Sequence, residues 1–157
     1  MKPPVADLSI ESTLQHCELL EPLSERQIAA LAACAAVRTL REGEALFGQD
    51  QAAHDLFVVE SGRLAVRLAT PAGHVIEVFG AGQYRLSGWS ALVAPHAYIA
   101  DGRAIEDCTV IVIPAAAAEE IFLREPAAAY QVMKQIAGTI SVRLRDIKEE
   151  LIEVLGG

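Results

Sequence analysis

From Val37 onward the chain is punctuated at the spacing of strands: REGEALFGQDQAAHDLFVVESGRLAVRLATPAGHVIEVFGAGQY sets short apolar runs between Gly, Asp and Pro breaks. Such punctuation marks many short strands. The runs predict strands at Ala45–Phe47, Leu56–Glu60, Leu64–Leu68 and Val75–Phe79, with turns at Ser61-Gly62 and Pro71-Ala72-Gly73. DLFVVESGRLAVRL reads as a hairpin. A last pair, Arg103–Ile105 and Thr109–Ile113, flanks a turn at Glu106-Asp107-Cys108 and stops at Pro114. About eight strands at this spacing favour a jelly-roll sandwich over a closed up-and-down barrel.

Helices flank this body. In LSERQIAALAACAAV, Ser24 is placed to cap a helix and Gln27 to complete a capping box, with Ile28, Leu31 and Ala32 at helical spacing; the helix is expected to end near Ala36. After Pro114 a short helix, AAAAEEIF, stops before Pro126, and a long one follows. On the long helix Met133, Ile140, Ile147 and Val154 recur every seventh residue, with Ala137, Leu144 and Leu151 interleaved. That is an a/d pattern, the mark of a helix pairing with a second copy or, alternatively, of a face packed on the protein's own sandwich, and Gly138 lies beside it. The expected fold is mainly β: a double-stranded β-helix, or jelly roll, with N-terminal helices and a long C-terminal helix. Its parts are a single domain over 1–157, with helices over 1–36, the jelly roll over 37–114 and helices over 115–157.

Charge and residue usage remove several functions. The formal net charge is −8 over 157 residues, a surface that repels phosphate backbones and anionic headgroups. Residues 126–157 cancel, with Lys134, Arg143, Arg145 and Lys148 against Asp146, Glu149, Glu150 and Glu153, so no basic stripe exists there for nucleic acid. Cys17, Cys34 and Cys108 are odd in number and far apart, which predicts reduced thiols and a cytoplasmic protein. No apolar run approaches the ~18 residues of a membrane span, and MKPPVADLSIEST has no signal-peptide core. His16, His54, His74 and His96 sit on four separate segments without the two-residue spacing of a jelly-roll metal site. Nor does the chain contain a nucleophile–base arrangement or a Gly-rich nucleotide loop, so it is read as having no metal and no catalytic role.

The order of helix, jelly roll, short helix and long helix resembles the cyclic-nucleotide-binding domain family, that of the catabolite activator and of the regulatory subunits of cyclic-AMP-dependent protein kinase. Gly43, Glu44, Leu46, Phe47 and Gln49, then Asp55, Phe57, Val59, Ser61 and Gly62, match the family's two opening hairpins. Asp50 stands where the family has a glycine. The resemblance implies a phosphate-binding cassette over 82–100, in which backbone N–H groups at a helix start and one arginine hold a cyclic phosphate while a glutamate accepts from the ribose hydroxyl. Gly82, Gln83 and Tyr84 match the approach, Gly88 the cassette glycine, and Ser90, Ala91 and Leu92 the short helix.

The departures lie at its centre. Trp89 stands where the glutamate would be, and the arginine position falls on Tyr98, or on His96 if the alignment is anchored at Pro95. A tyrosine gives one neutral hydrogen bond of about 0.5–1.5 kcal/mol, well short of a bidentate guanidinium. Arg85 and Arg103 are the nearest cationic substitutes. The expected ligand residues are Ser87, Gly88, Trp89, Ser90, Ala91, Tyr98, Ile99 and Ala100, and the expected dimer residues Met133, Ala137, Ile140, Leu144, Ile147 and Leu151. Two functions follow. The first is a regulatory sensor that takes a small anion, cyclic AMP or cyclic GMP among the candidates, and signals through its C-terminal helix. The second is a ligand-free dimeric scaffold or protein-interaction module with Trp89 closing the pocket. The family's activators carry a helix-turn-helix after the long helix, and this chain ends at Leu155-Gly156-Gly157, so DNA binding by itself is not expected.

Overall fold

The Ser24 capping box forms. The Gln27 N–H donates to Ser24 Oγ at 3.2 Å and the Ser24 N–H to Gln27 Oε1 at 2.7 Å, starting helix α2 (Glu25–Cys34) after α1 (Val5–Gln15). The computed structural model describes residues 5–156, with side chains from residue 10 onward; residues 1–4 and 157 of the expected helical ends lie outside that range. α2 buries Ile28 and Leu31 and stops two residues before the expected Ala36. Ala35 is extended, and Ala36–Leu40 forms strand β1, whose five residues pair with 108–112. Sheet pairing overrides the helical preference of the alanines there.

The remaining strands are β2 (Ala45–Phe47), β3 (Asp55–Ser61), β4 (Leu64–Ala69), β5 (Val75–Ala81), β6 (Leu86–Ser87), β7 (Asp101–Ala104) and β8 (Cys108–Pro114). They form two four-stranded antiparallel sheets, ordered β1-β8-β3-β6 and β2-β7-β4-β5, which is the jelly roll expected from the punctuation. Several boundaries move: β3 runs one residue further at each end, β4 one further to Ala69, β5 two further to Ala81, and β7 opens two earlier at Asp101. Cys108, expected in a turn, opens β8 opposite Leu40, and Ile105 leaves β7 because its N–H donates instead to the Arg63 carbonyl.

The core lies between the sheets and extends under the helices. Leu56, Phe57, Val58 and Val59 of β3 are buried in succession, because one face of that strand meets the opposite sheet and the other meets α1. A strand covered on both sides reads as a continuous apolar run rather than as an alternation. Helix α3 (Ala115–Arg124) buries Ala115 and Ala118; α4 (Pro126–Gly156) starts with a proline in its first turn and buries Val132 and Ile136. α4 leans on β5, so the long helix and the cassette share a strand. No helix among the described residues is long and apolar enough to cross a membrane.

Candidate functional site

The cassette is set between β5, β3 and a strap formed by residues 48–53. Where β5 ends, Tyr84 takes a left-handed backbone with φ of 67°; its N–H donates to the Val59 carbonyl at 2.7 Å and its ring stacks on His16 at 4.8 Å. Leu86 and Ser87 then pair with Val58 and Phe57. Gly88, at φ 82°, turns the chain into one 3-10 turn, Trp89–Leu92. The return segment is tied to the strap: the Ala53 N–H donates to His96 O at 2.7 Å, Tyr98 N–H to Gln51 O at 3.0 Å and Asp50 N–H to Tyr98 O at 2.8 Å. Asp50 holds φ of 65°, so it keeps the backbone that the family's glycine would take, as aspartate can.

Seven of the eight expected ligand residues border one small cavity: Ser87, Gly88, Trp89 and Ser90 from one side, Tyr98, Ile99 and Ala100 from the other. Ala91 is buried beneath the turn and does not line it. Phe47, Val66, Val78 and Phe79 complete the wall. They were missed because each reads as an ordinary strand residue. The cavity holds about 30 Å³, room on the scale of a single water, against the several hundred Å³ of sites that enclose small organic ligands.

Two side chains account for the lack of space. Trp89 is half-buried and packs edge-on against Phe79, with centroids 4.8 Å apart and planes at 77°. Tyr98, at one of the two expected arginine positions, turns into the core, where its ring stacks on Phe47 at 4.1 Å and its hydroxyl donates to the Asp55 carbonyl at 2.9 Å. Burial raises its phenol above the ordinary value, so it stays a neutral donor already in use. The cationic substitutes do not reach the cavity. Arg103 donates to the Gly43 carbonyl at 3.0 Å, and Arg85 lines a different cleft beside α4; His96 is exposed.

Some polar capacity remains in the cassette. The Ala91 N–H is used by the Gly88 carbonyl at 3.0 Å, whereas the N–H groups of Trp89 and Ser90 precede the first bond of the turn and have no acceptor among the described residues. Ser87 Oγ is buried and has no hydrogen-bond partner among the described residues. Among the described residues no three His, Cys, Asp or Glu side chains are grouped to hold a metal ion.

The expected dimer residues lie along one flank of α4. Met133 and Ile147 are partly buried against the protein's own core, Ala137, Ile140 and Leu144 are exposed, and Leu151, also exposed, borders a cleft with Val75 and Ile76 of β5. Gly138, expected beside that stripe, lines the cleft that holds Arg85.

Comparison with known proteins agrees with this fold. The N-terminal domain of a transcriptional regulator from Streptomyces coelicolor is 23% identical, with a TM-score of 0.68 over 88% of this chain and 94% of that one. The sensor domain of the transcriptional regulator DNR from Pseudomonas aeruginosa is 19% identical, with a TM-score of 0.76 over 88% and 93%. The regulatory domain of Toxoplasma gondii PKA, crystallised with cAMP, is 17% identical, with a TM-score of 0.72 over 85% of this chain and 50% of that one. At such identities the likeness is one of fold. No curated protein matches the chain. The family model of the cyclic nucleotide-binding domain matches residues 37–125, more than half of the chain and all but the first residue of its jelly roll, and the chain belongs to that family.

Proposed function

We propose that this chain is a regulatory rather than a catalytic module, that it works as a homodimer through the outward flank of α4, and that its cassette is closed to cyclic nucleotides. The observation that carries this reading is the pair of plugs at the centre of the cassette. Trp89 packs on Phe79 and Tyr98 is bonded to Asp55, where a nucleotide-binding cassette has a free carboxylate and a free guanidinium. Opening the site would break the aromatic pair and still supply no positive charge for the phosphate. Calorimetry with cyclic AMP and cyclic GMP tests the reading: no saturable heat is expected at nucleotide concentrations up to about 1 mM. A micromolar dissociation constant for either nucleotide overturns it.

A second reading is favoured by the unpartnered Ser87 Oγ and the free N–H groups of Trp89 and Ser90. These form a small concave donor set suited to an anion not much larger than a water, bound through the backbone rather than through an arginine. Titration with chloride in a halide-free buffer, followed by amide NMR, separates the two. Saturable shifts at Trp89 and Ser90 that vanish in Ser87→Ala support anion sensing, and unchanged spectra leave the closed cassette as the function-bearing form.

A further inference from the structure

A cleft far larger than the cassette cavity lies elsewhere on the molecule. It encloses about 500 Å³ between the Glu18–Leu20 turn, the end of β5 and α4, within the range of sites that hold small organic ligands and far above the cassette cavity. Two guanidiniums border it in a chain whose net charge is −8. Arg85 is placed there by the left-handed backbone of Tyr84 just before it, and its side chain has no hydrogen bond or ion pair among the described residues. Arg143 Cζ lies 5.0 Å from the Phe79 ring centroid and its Nη1 3.6 Å from Asp146 Oδ2, so among the described residues its five N–H donors make no hydrogen bond. Glu18 is the cleft's one carboxylate.

The α4 wall carries a second observation. Gly138 stands in the interior of a 31-residue helix, and a Cβ built on it would meet nothing within 4 Å. A mid-helix glycine weakens the helix relative to alanine, and no packing in the described chain requires this one. What it does is widen the cleft. Beside it Val142 is 59% exposed, an apolar wall with no cover. At 3.6 residues per turn, Gln135, Gly138, Thr139 and Val142 lie on the opposite flank of α4 from Met133, Ala137, Ile140 and Leu144, roughly 180° away. The cleft therefore stays open when the outward stripe is covered.

We propose that this cleft is a binding site for an organic monoanion with a flat apolar body, its carboxylate or phosphate held by Arg85 and Arg143 and its body laid against Val142 and Leu19. A guanidinium pair gives directional bonds to a planar or tetrahedral oxyanion, and the apolar wall rejects inorganic ions. Occupation ties α4 to the barrel, because the ligand touches β5, the Glu18–Leu20 turn and the helix together.

The test uses the full chain with benzoate, phenyl phosphate, inorganic phosphate and benzyl alcohol, followed by calorimetry and amide NMR. Saturable binding of benzoate or phenyl phosphate is expected, with shifts at Arg85 and Gly138 and a dissociation constant on the order of 10 µM to 1 mM. The better of the two names the oxyanion. Gly138→Leu fills the cleft and improves helix propensity, so it is expected to weaken binding at least about 10-fold without lowering the melting temperature. Arg85→Gln, at an exposed position, is expected to weaken it by about 10-fold. The proposal is overturned if neither organic anion binds at about 5 mM, or if Gly138→Leu binds as well as the parent. It is equally overturned if inorganic phosphate or benzyl alcohol matches phenyl phosphate, or if the shifts map to Gly88–Ala91.

Discussion

The indole of Trp89 meets the ring of Phe79 edge-on at 4.8 Å, and that same ring lies under the Arg143 guanidinium of α4 at 5.0 Å. One β5 side chain thus touches both the cassette and the long helix. Trp89→Ala removes a half-buried aromatic from this contact and is expected to cost about 2 kcal/mol in chemical denaturation, below the 3–5 kcal/mol of a fully buried ring. A double-mutant cycle with Phe79→Leu is expected to return a coupling of about 0.5–1.5 kcal/mol. Additivity within error would mean that the two rings are neighbours without a specific attraction.

Gly88 is the cassette residue least able to change. Its φ of 82° is left-handed, and a Cβ there would lie 2.9 Å from both the Asp55 carbonyl oxygen and Phe57 Cδ2. Gly73, at φ 89°, has nothing within 4 Å of the same atom. Gly73→Ala therefore meets backbone strain alone, about 1–2 kcal/mol. Gly88→Ala meets strain plus a clash with backbone and a core ring, and is expected to cost about 2 kcal/mol more. Equal melting temperatures for the two variants would contradict the tight seating of the cassette on β3.

How far the sequence reaches can be seen in four places. The Ser24–Gln27 box was legible because both of its hydrogen bonds span three residues, so no distant partner decides them. Strand β1 was not legible. It is an edge strand with only Leu40 buried, so it carries no alternation, and its pairing with β8 is set by residues some seventy positions away. The cassette falls between these cases. Its glycine and its neighbours were placed by motif spacing, whereas the inward turn of Tyr98 depends on a carbonyl at Asp55 and a ring at Phe47, which no local pattern announces. The cleft beside Gly138 left only one local trace, a glycine without a structural reason inside a long helix.

The outward stripe of α4 makes an assembly prediction. Leu144 is 67% exposed and Leu151 51%, a surface that a second copy would cover. Sedimentation is expected to show a dimer. Leu144→Glu both loses apolar burial and places a charge in the pair, about 3 kcal/mol in all, or a dimer dissociation constant raised by more than about 100-fold. Val142→Glu lies on the opposite flank and is expected to leave the dimer unchanged. A monomer at all concentrations, or equal sensitivity to both changes, removes the stripe as the dimer surface.

Two buried thiols and a buried phenol give a pH test of the packing. Burial pushes the Cys17 thiol from 9.0 up to about 11, outweighing the Leu19 and Leu20 N–H groups that favour its thiolate. Burial also raises Cys108 and Tyr98. All three are neutral acids whose folded pKa exceeds the unfolded one. Their contribution is therefore complete below the unfolded value and is lost as pH rises through the folded value. For Cys17 the window is about pH 9 to 11 and the loss about 2–3 kcal/mol. Stability measured by denaturant is expected to fall across that window, and Cys17→Ala to flatten the fall while lowering stability at pH 7. With iodoacetamide at neutral pH, exposed Cys34 is expected to be alkylated while buried Cys17 and Cys108 stay protected until the chain is denatured. Rapid modification of Cys17 in the folded protein would show that the Glu18–Leu20 turn opens, and with it one wall of the cleft beside α4.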